Sequence, residues 1–115
     1  MTWYQQKQNK YGNTKHEYDG RVYHSIKEAA YAQELDLRQK AGDITEWEPQ
    51  FRIDLVANGK KICTMIPDFK VTYPDGQIEI VEVKGFATET WRLKRKILEA
   101  TYLVEHPEVR YLVVT

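Results

Sequence analysis

Three side chains in this 115-residue chain have types and spacing suited to phosphate chemistry: Asp68, Glu82 and Lys84. Asp68 follows Pro67, and after thirteen intervening residues comes Glu82-Val83-Lys84. Two carboxylates brought to one place can share a divalent cation, and all-oxygen ligands favour Mg²⁺ or Mn²⁺ over zinc. A lysine beside them can orient or deprotonate a water. Whether the acids meet depends on the turn between them. Tyr73-Pro74-Asp75-Gly76-Gln77 has the residue pattern of a three-residue loop, with proline first and glycine at the left-handed position. Such a loop pairs Tyr73 with Gln77 and sets Asp68 directly opposite Glu82, with Cβ atoms roughly 4.5–5.5 Å apart. A two-residue Asp75-Gly76 turn would oppose Asp68 to Val83 and send Glu82 to the other face. By parity, Ile78, Ile80, Glu82 and Lys84 share one side of their strand, with Ile66 and Asp68 beside them on the neighbour. The competing reading is a cross-strand salt-bridge network. Pro67 weighs for a site, because a proline inside a strand marks a bulge or break beside the acid.

Glu28 is the third acid. Ser25-Ile26-Lys27-Glu28 matches a capping box, which by itself explains a glutamate there. The helix it opens is expected over about 26–41, with Gly42 as its stop. At 100° per residue, Ile26, Ala30 and Leu37 share one face, while Glu28, Tyr31, Ala32 and Leu35 share another. A helix apolar on two sides is expected to be well buried, and an inward Glu28 then needs a partner. The capping role and a role in the acidic cluster both stand at this point.

The elements that must position these residues follow in order. Residues 1–14, polar and rich in Gln, Asn and Lys, read as a mobile arm ahead of a domain at 15–115. Glu17 to Tyr23 reads as a hairpin turning at Asp19-Gly20. A strand carrying Phe51, Ile53 and Leu55 turns at Asn58-Gly59 into a second strand, Lys61 to Tyr73, interrupted at Pro67. Ile78 to Lys84 is the third. Thr88 or Thr90 caps a second helix with an apolar stripe at Leu93, Ile97, Ala100 and Val104. His106-Pro107 ends it, and Arg110 to Val114 is a last strand. That order predicts an α/β fold with a central mixed sheet flanked by helices.

Composition narrows the partners. Hydrophobic residues make up 42% and charged residues 30%, with a net charge of zero. No apolar run is long enough to span a membrane, and the N-terminus lacks a signal-peptide pattern, so a cytoplasmic protein without a membrane partner is expected. The single cysteine, Cys63, can build neither an internal disulfide nor a multi-cysteine zinc site. Lys7, Lys10, Lys15, Arg21 and Lys27 concentrate positive charge early, and Lys84, Arg92, Lys94, Arg95 and Lys96 do so later. Two basic segments on a neutral chain could meet phosphates; two ordinary solvated faces is the plainer alternative. His16, His24 and His106 show no ligand spacing. Trp3, Trp47 and Trp91 read as packing residues more readily than as base-stacking ones.

Pro67-Asp68 followed by Glu82-Val83-Lys84 resembles the PD-(D/E)XK nuclease signature, within a restriction-endonuclease-like αβββαβ order. More closely, the chain looks like a phage-associated family catalogued as domain of unknown function 1064. The matching stretches are Lys10 to Asn13, Ser25 to Ala29, Glu48-Pro49-Gln50, Pro67-Asp68-Phe69, Val81 to Gly85 and Trp91 to Lys96. Archaeal-type Holliday junction resolvases are similar in their helix glutamate, acid pair and lysine. The resemblance implies a Mg²⁺-dependent DNA endonuclease, with Mn²⁺ able to substitute. Asp68 and Glu82 would hold the metal, joined by the Val83 carbonyl and Glu28, and Lys84 would serve the attacking water. Gln50 and Ser25 would stand behind them, and Lys10, Arg92, Lys94 and Lys96 would grip DNA. The expected substrate is branched or junction DNA, cut by a homodimer in the host cytoplasm beside phage recombination or replication proteins. A chain ending on its last strand is expected to lack a separate recognition domain. A partner-directed or restriction-type nuclease and a non-catalytic nucleic-acid-binding module are the alternatives.

Overall fold

The computed structural model describes residues 4–8, 14–23 and 25–115. Lys10, Trp3 and His24, and most of the expected arm, lie outside them. The chain forms two compact units, Met1–Asp43 and Ile44–Thr115.

The first unit holds β1 (Tyr4–Gln8), β2 (Thr14–Tyr18), β3 (Arg21–Tyr23) and α1 (Ile26–Lys40). The expected hairpin joins β2 to β3, with Tyr18 opposite Arg21. Asp19 and Gly20 both take positive φ, at 52° and 78°, as a two-residue hairpin turn requires. Inside the segment read as an arm, β1 pairs with β2 over five positions, Tyr4 to Tyr18 through Gln8 to Thr14. The Tyr18 hydroxyl donates to Asp36 Oδ2 at 2.6 Å, tying β2 to α1.

Helix α1 has the expected limits. The Ser25 hydroxyl accepts from the Glu28 N–H at 3.1 Å. At the far end Gly42 N–H reaches the Gln39 carbonyl and Asp43 N–H the Arg38 carbonyl, the double bond that a left-handed glycine permits after a helix. Only one of the two expected faces is buried: Glu28, Ala29, Ala32 and Leu35. Ile26 and Leu37 are exposed, so among the described residues the apolar side chains on the opposite side of the helix are left uncovered.

The second unit is built on a mixed sheet in the order β4 (Glu46–Pro49), β7 (Phe69–Thr72), β8 (Ile78–Val83), β9 (Val109–Val114). β5 (Ile53–Ala57) and β6 (Lys60–Met65) form a separate ribbon that turns at Asn58-Gly59. The strand expected from Lys61 to Tyr73 is therefore two strands in two sheets. Pro67 divides them, since proline has no N–H for the ladder. β4 was not expected; it is short and carries Pro49 at its end, as edge strands do.

β8 and β9 run parallel, so the chain must cross over between them. α2 (Glu89–Ala100) and α3 (Tyr102–Glu105) make that crossing. Thr88 is the cap, its hydroxyl accepting from the Trp91 N–H. The expected stripe holds only at Ile97, which packs against the core: Leu93, Ala100 and Val104 are exposed, and the inward face also carries Trp91, Leu98 and Tyr102. The helical register is unchanged, but the face was chosen by apolarity alone. With Ile53, Leu55, Met65, Ile80 and Val109, Leu98 completes one core cluster. Ile66, expected beside Asp68 on the core side, is 54% exposed, because the chain leaves the ribbon there.

Candidate functional site

The β7–β8 turn fixes the acids. Gly76 N–H bonds to the Tyr73 carbonyl and Tyr73 N–H to the Gln77 carbonyl, with Gly76 at φ 90°. This is the three-residue loop read from the sequence. The register follows from it: Thr72 faces Ile78, Val71 Glu79, Lys70 Ile80 and Phe69 Val81. The ladder ends at that pair, and one residue beyond it on each strand the Asp68 and Glu82 side chains meet through a hydrogen bond, on the same face as expected.

That last step is made by side chain rather than backbone. Val83 N–H donates to Asp68 Oδ2 at 2.6 Å. The register would set Val83 opposite Pro67, which has no N–H to return to the Val83 carbonyl. Within a strand a residue's N–H and C=O point to the same side. The Val83 carbonyl therefore faces the Asp68 side without a ladder donor from Pro67. The Asp68 carbonyl is held in turn by Gln50 N–H at 2.8 Å. Gln50 adopts φ 52°, a left-handed conformation uncommon outside glycine, so it touches the site through its backbone.

Glu82 is 6% exposed. Its Oε1 accepts from the Trp91 indole N–H at 3.2 Å and the Tyr111 hydroxyl at 3.5 Å. Burial and then the adjacent Asp68, through its charge and a hydrogen bond, push the Glu82 carboxyl up to about 7 from 4.5; Lys84 and the Trp91 N–H oppose the shift. Burial and the Glu82 charge push the Tyr111 hydroxyl well above its ordinary range, which keeps it a donor. Lys84 Nζ lies 5.1 Å from the Trp91 ring centroid and the Arg95 guanidinium 5.6 Å from it. Together Asp68, Glu82, Lys84, Trp91 and Lys94 line an open cleft of ≈ 320 Å³, along with Met65, Ile66, Thr88 and Thr90.

The other expected residues fall in varied places. Lys94 lines the cleft but its ammonium donates to the Thr64 carbonyl at 3.0 Å, which anchors it to β6. Arg92 and Lys96 are exposed on α2. Glu28 and Ser25 belong to the first unit, where Ser25 caps α1 and Glu28 is 6% exposed. Among the described residues no group of three or more His, Cys, Asp or Glu side chains is arranged to hold a metal ion. Trp91 and Tyr111 were not foreseen as site residues. The signal available for Tyr111 was parity with Ile80, its partner across the parallel pair, which puts it on the Glu82 face. Trp91 had only its place in the first turn after a capping threonine.

The donor set suits a hard divalent cation. Two carboxylates whose charges disfavour each other, beside a backbone carbonyl without a ladder donor, form an all-oxygen set that such a cation relieves. No described helix is long and apolar enough to cross a membrane.

A family model described as Protein of unknown function (DUF1064) matches residues 8–113, and the chain belongs to that family. No curated protein and no solved structure matches it.

Proposed function

We propose that this DUF1064 member is a metal-dependent DNA endonuclease of the PD-(D/E)XK kind that hydrolyses phosphodiester bonds in branched DNA. The observation that carries the reading is the meeting of the Asp68 and Glu82 carboxyls just past the end of the β7–β8 ladder, with Lys84 directly after β8 and in the same cleft. A structural salt-bridge network does not account for two neighbouring carboxylates, one of them buried with its protonation raised. Asp68, Glu82 and the Val83 carbonyl are the groups that would hold Mg²⁺. Bound there, the ion would act as a Lewis acid on a phosphoryl oxygen and make a bound water more acidic. Lys84 holds positive charge at the cleft, where its ammonium orients the attacking water and meets charge developing on the phosphate. Asp68 is kept in place by the Val83 N–H, and Glu82 by Trp91 and Tyr111. Arg92 and Lys96, exposed on the helix that follows, supply phosphate contacts that position the backbone.

The test is incubation of the full chain with four-way junction, flap, linear duplex and single-stranded DNA in Mg²⁺, Mn²⁺ or EDTA. Paired cuts in the junction that vanish in EDTA are expected. Asp68→Asn should lower the cleavage rate at least 100-fold. Absence of cutting on every substrate overturns the enzyme reading, and full activity in the variant overturns the metal assignment.

A further inference from the structure

Trp91 does more at the cleft than hold one oxygen of Glu82. Its indole N–H donates to Glu82 Oε1 at 3.2 Å. Its ring carries the Lys84 ammonium at 5.1 Å and the Arg95 guanidinium at 5.6 Å. Its own backbone N–H is fixed by the Thr88 hydroxyl at 3.1 Å, which makes it part of the capped first turn of α2. Its ring packs against the core cluster containing Ile80 and Leu98. A side chain held at backbone, ring and N–H has little freedom left, and what it touches inherits that order.

We propose that Trp91 is the positioning residue of the cleft: it fixes Glu82 through Oε1, turning the carboxyl toward a cation, and seats Lys84 on its ring. This rests on the metal-dependent reading above. The carboxylate has two oxygens, and an N–H and a hydroxyl from Tyr111 both claim Oε1. The remaining neighbour of Glu82 is Asp68, whose carboxyl shares a hydrogen bond with it, and a cation seated between the two acids takes the place of that shared hydrogen. The ring seat adds a cation–π attraction that keeps the Lys84 ammonium near the carboxylates without a direct ion pair, which would occupy the oxygens the cation needs. Groups that orient a ligand without touching the metal commonly govern affinity 10–100-fold.

Mn²⁺ binding to the full chain, read from the free-ion electron paramagnetic resonance signal without DNA, separates the possibilities. Trp91→Phe keeps a ring for packing and for Lys84 but removes the N–H. Its Mn²⁺ affinity should fall about 10–100-fold, with the far-ultraviolet circular dichroism spectrum unchanged. Tyr111→Phe, which loses the longer contact, should lose less. Equal Mn²⁺ affinity in parent and Trp91→Phe overturns the positioning role alone. A parent chain that binds no Mn²⁺ overturns the metal reading and this role with it. A readout on the unmodified chain guards against a variant that does not fold. The Trp91 indole ¹⁵N–¹H resonance should move on titration with Mg²⁺, and a resonance that stays in place at saturating Mg²⁺ overturns the proposal.

Discussion

Glu82 and Asp68 are two acids that register forces into company, and the cost of that company depends on pH. Burial and the Asp68 charge hold the Glu82 carboxyl at about 7, above its ordinary 4.5. The folded state therefore binds a proton that the unfolded chain releases between those values. The stability this contributes is fully present below about 4.5 and is lost as pH rises through about 7. The metal-free protein should melt at progressively lower temperature across that window. Asp68→Asn removes the like charge and should make the decline shallower, as should saturating Mg²⁺, which lets both acids ionise together. A melting temperature independent of pH over this range, measured by calorimetry without metal, would contradict the account. Glu79 shows the contrast: it is equally buried but paired with Arg110 at 2.9 Å and with the Tyr73 hydroxyl at 3.1 Å. That acid is fully answered by protein groups and serves structure.

At the scale of elements, the Pro74-Asp75-Gly76 loop decides which face Glu82 occupies. Nothing lies within 4 Å of where a Cβ on Gly76 would stand, and its φ is +90°. Gly76→Ala should therefore act through backbone conformation alone and cost about 1–2 kcal/mol, seen as a lower urea midpoint. Deleting Gln77 instead keeps the three-residue loop but sets Tyr73 opposite Ile78, and so Asp68 opposite Val83. That shifts the pairing by one and sends Glu82 to the opposite face, so metal binding should be lost even where the chain still folds. Retained Mn²⁺ affinity in that deletion would show that the register does not set the site. Pro67 acts at the same scale. It ends the ribbon strand, opens the gap that Asp68 fills with its carboxylate, and withholds a donor from Val83. Helix α2 then lays Trp91 and Lys94 over the cleft and leaves Leu93 outside.

For the whole molecule, a nuclease that cuts two strands of a branched substrate is expected to act as a symmetric pair. Sedimentation of the protein with a four-way junction should give two chains per junction at saturation. One chain per junction, with cleavage intact, would remove the resolvase-like reading while leaving a nuclease. The neutral net charge makes a further expectation specific. Binding should depend on the local cations of α2 rather than on a global field, so Arg92→Ala with Lys96→Ala should weaken junction binding and flatten its salt dependence.

Much of the site was legible because its determinants are local. Turn chemistry at Pro74-Asp75-Gly76 specified the loop, the loop specified the register, and the register opposed Asp68 to Glu82. Ser25, Gly42, Asn58-Gly59 and Thr88 marked their caps and turns for the same reason, each acting on a few neighbouring backbone groups. The inward faces of the helices were legible only in part: the Glu28, Ala32 and Leu35 face of α1 is buried and Ile97 of α2 packs on the core, while the second apolar face of α1 and the rest of the α2 stripe are exposed. Ile26, Leu37, Leu93 and Val104 are apolar yet exposed, since burial depends on which layer covers a face, and periodicity cannot report that. Trp91 and Tyr111 at Glu82, and Lys94 at the Thr64 carbonyl, arise from how α2 and β9 lie against β8. Local residue types placed the two acids opposite each other; only the packing of the crossover helix and the parallel strand decided what surrounds them.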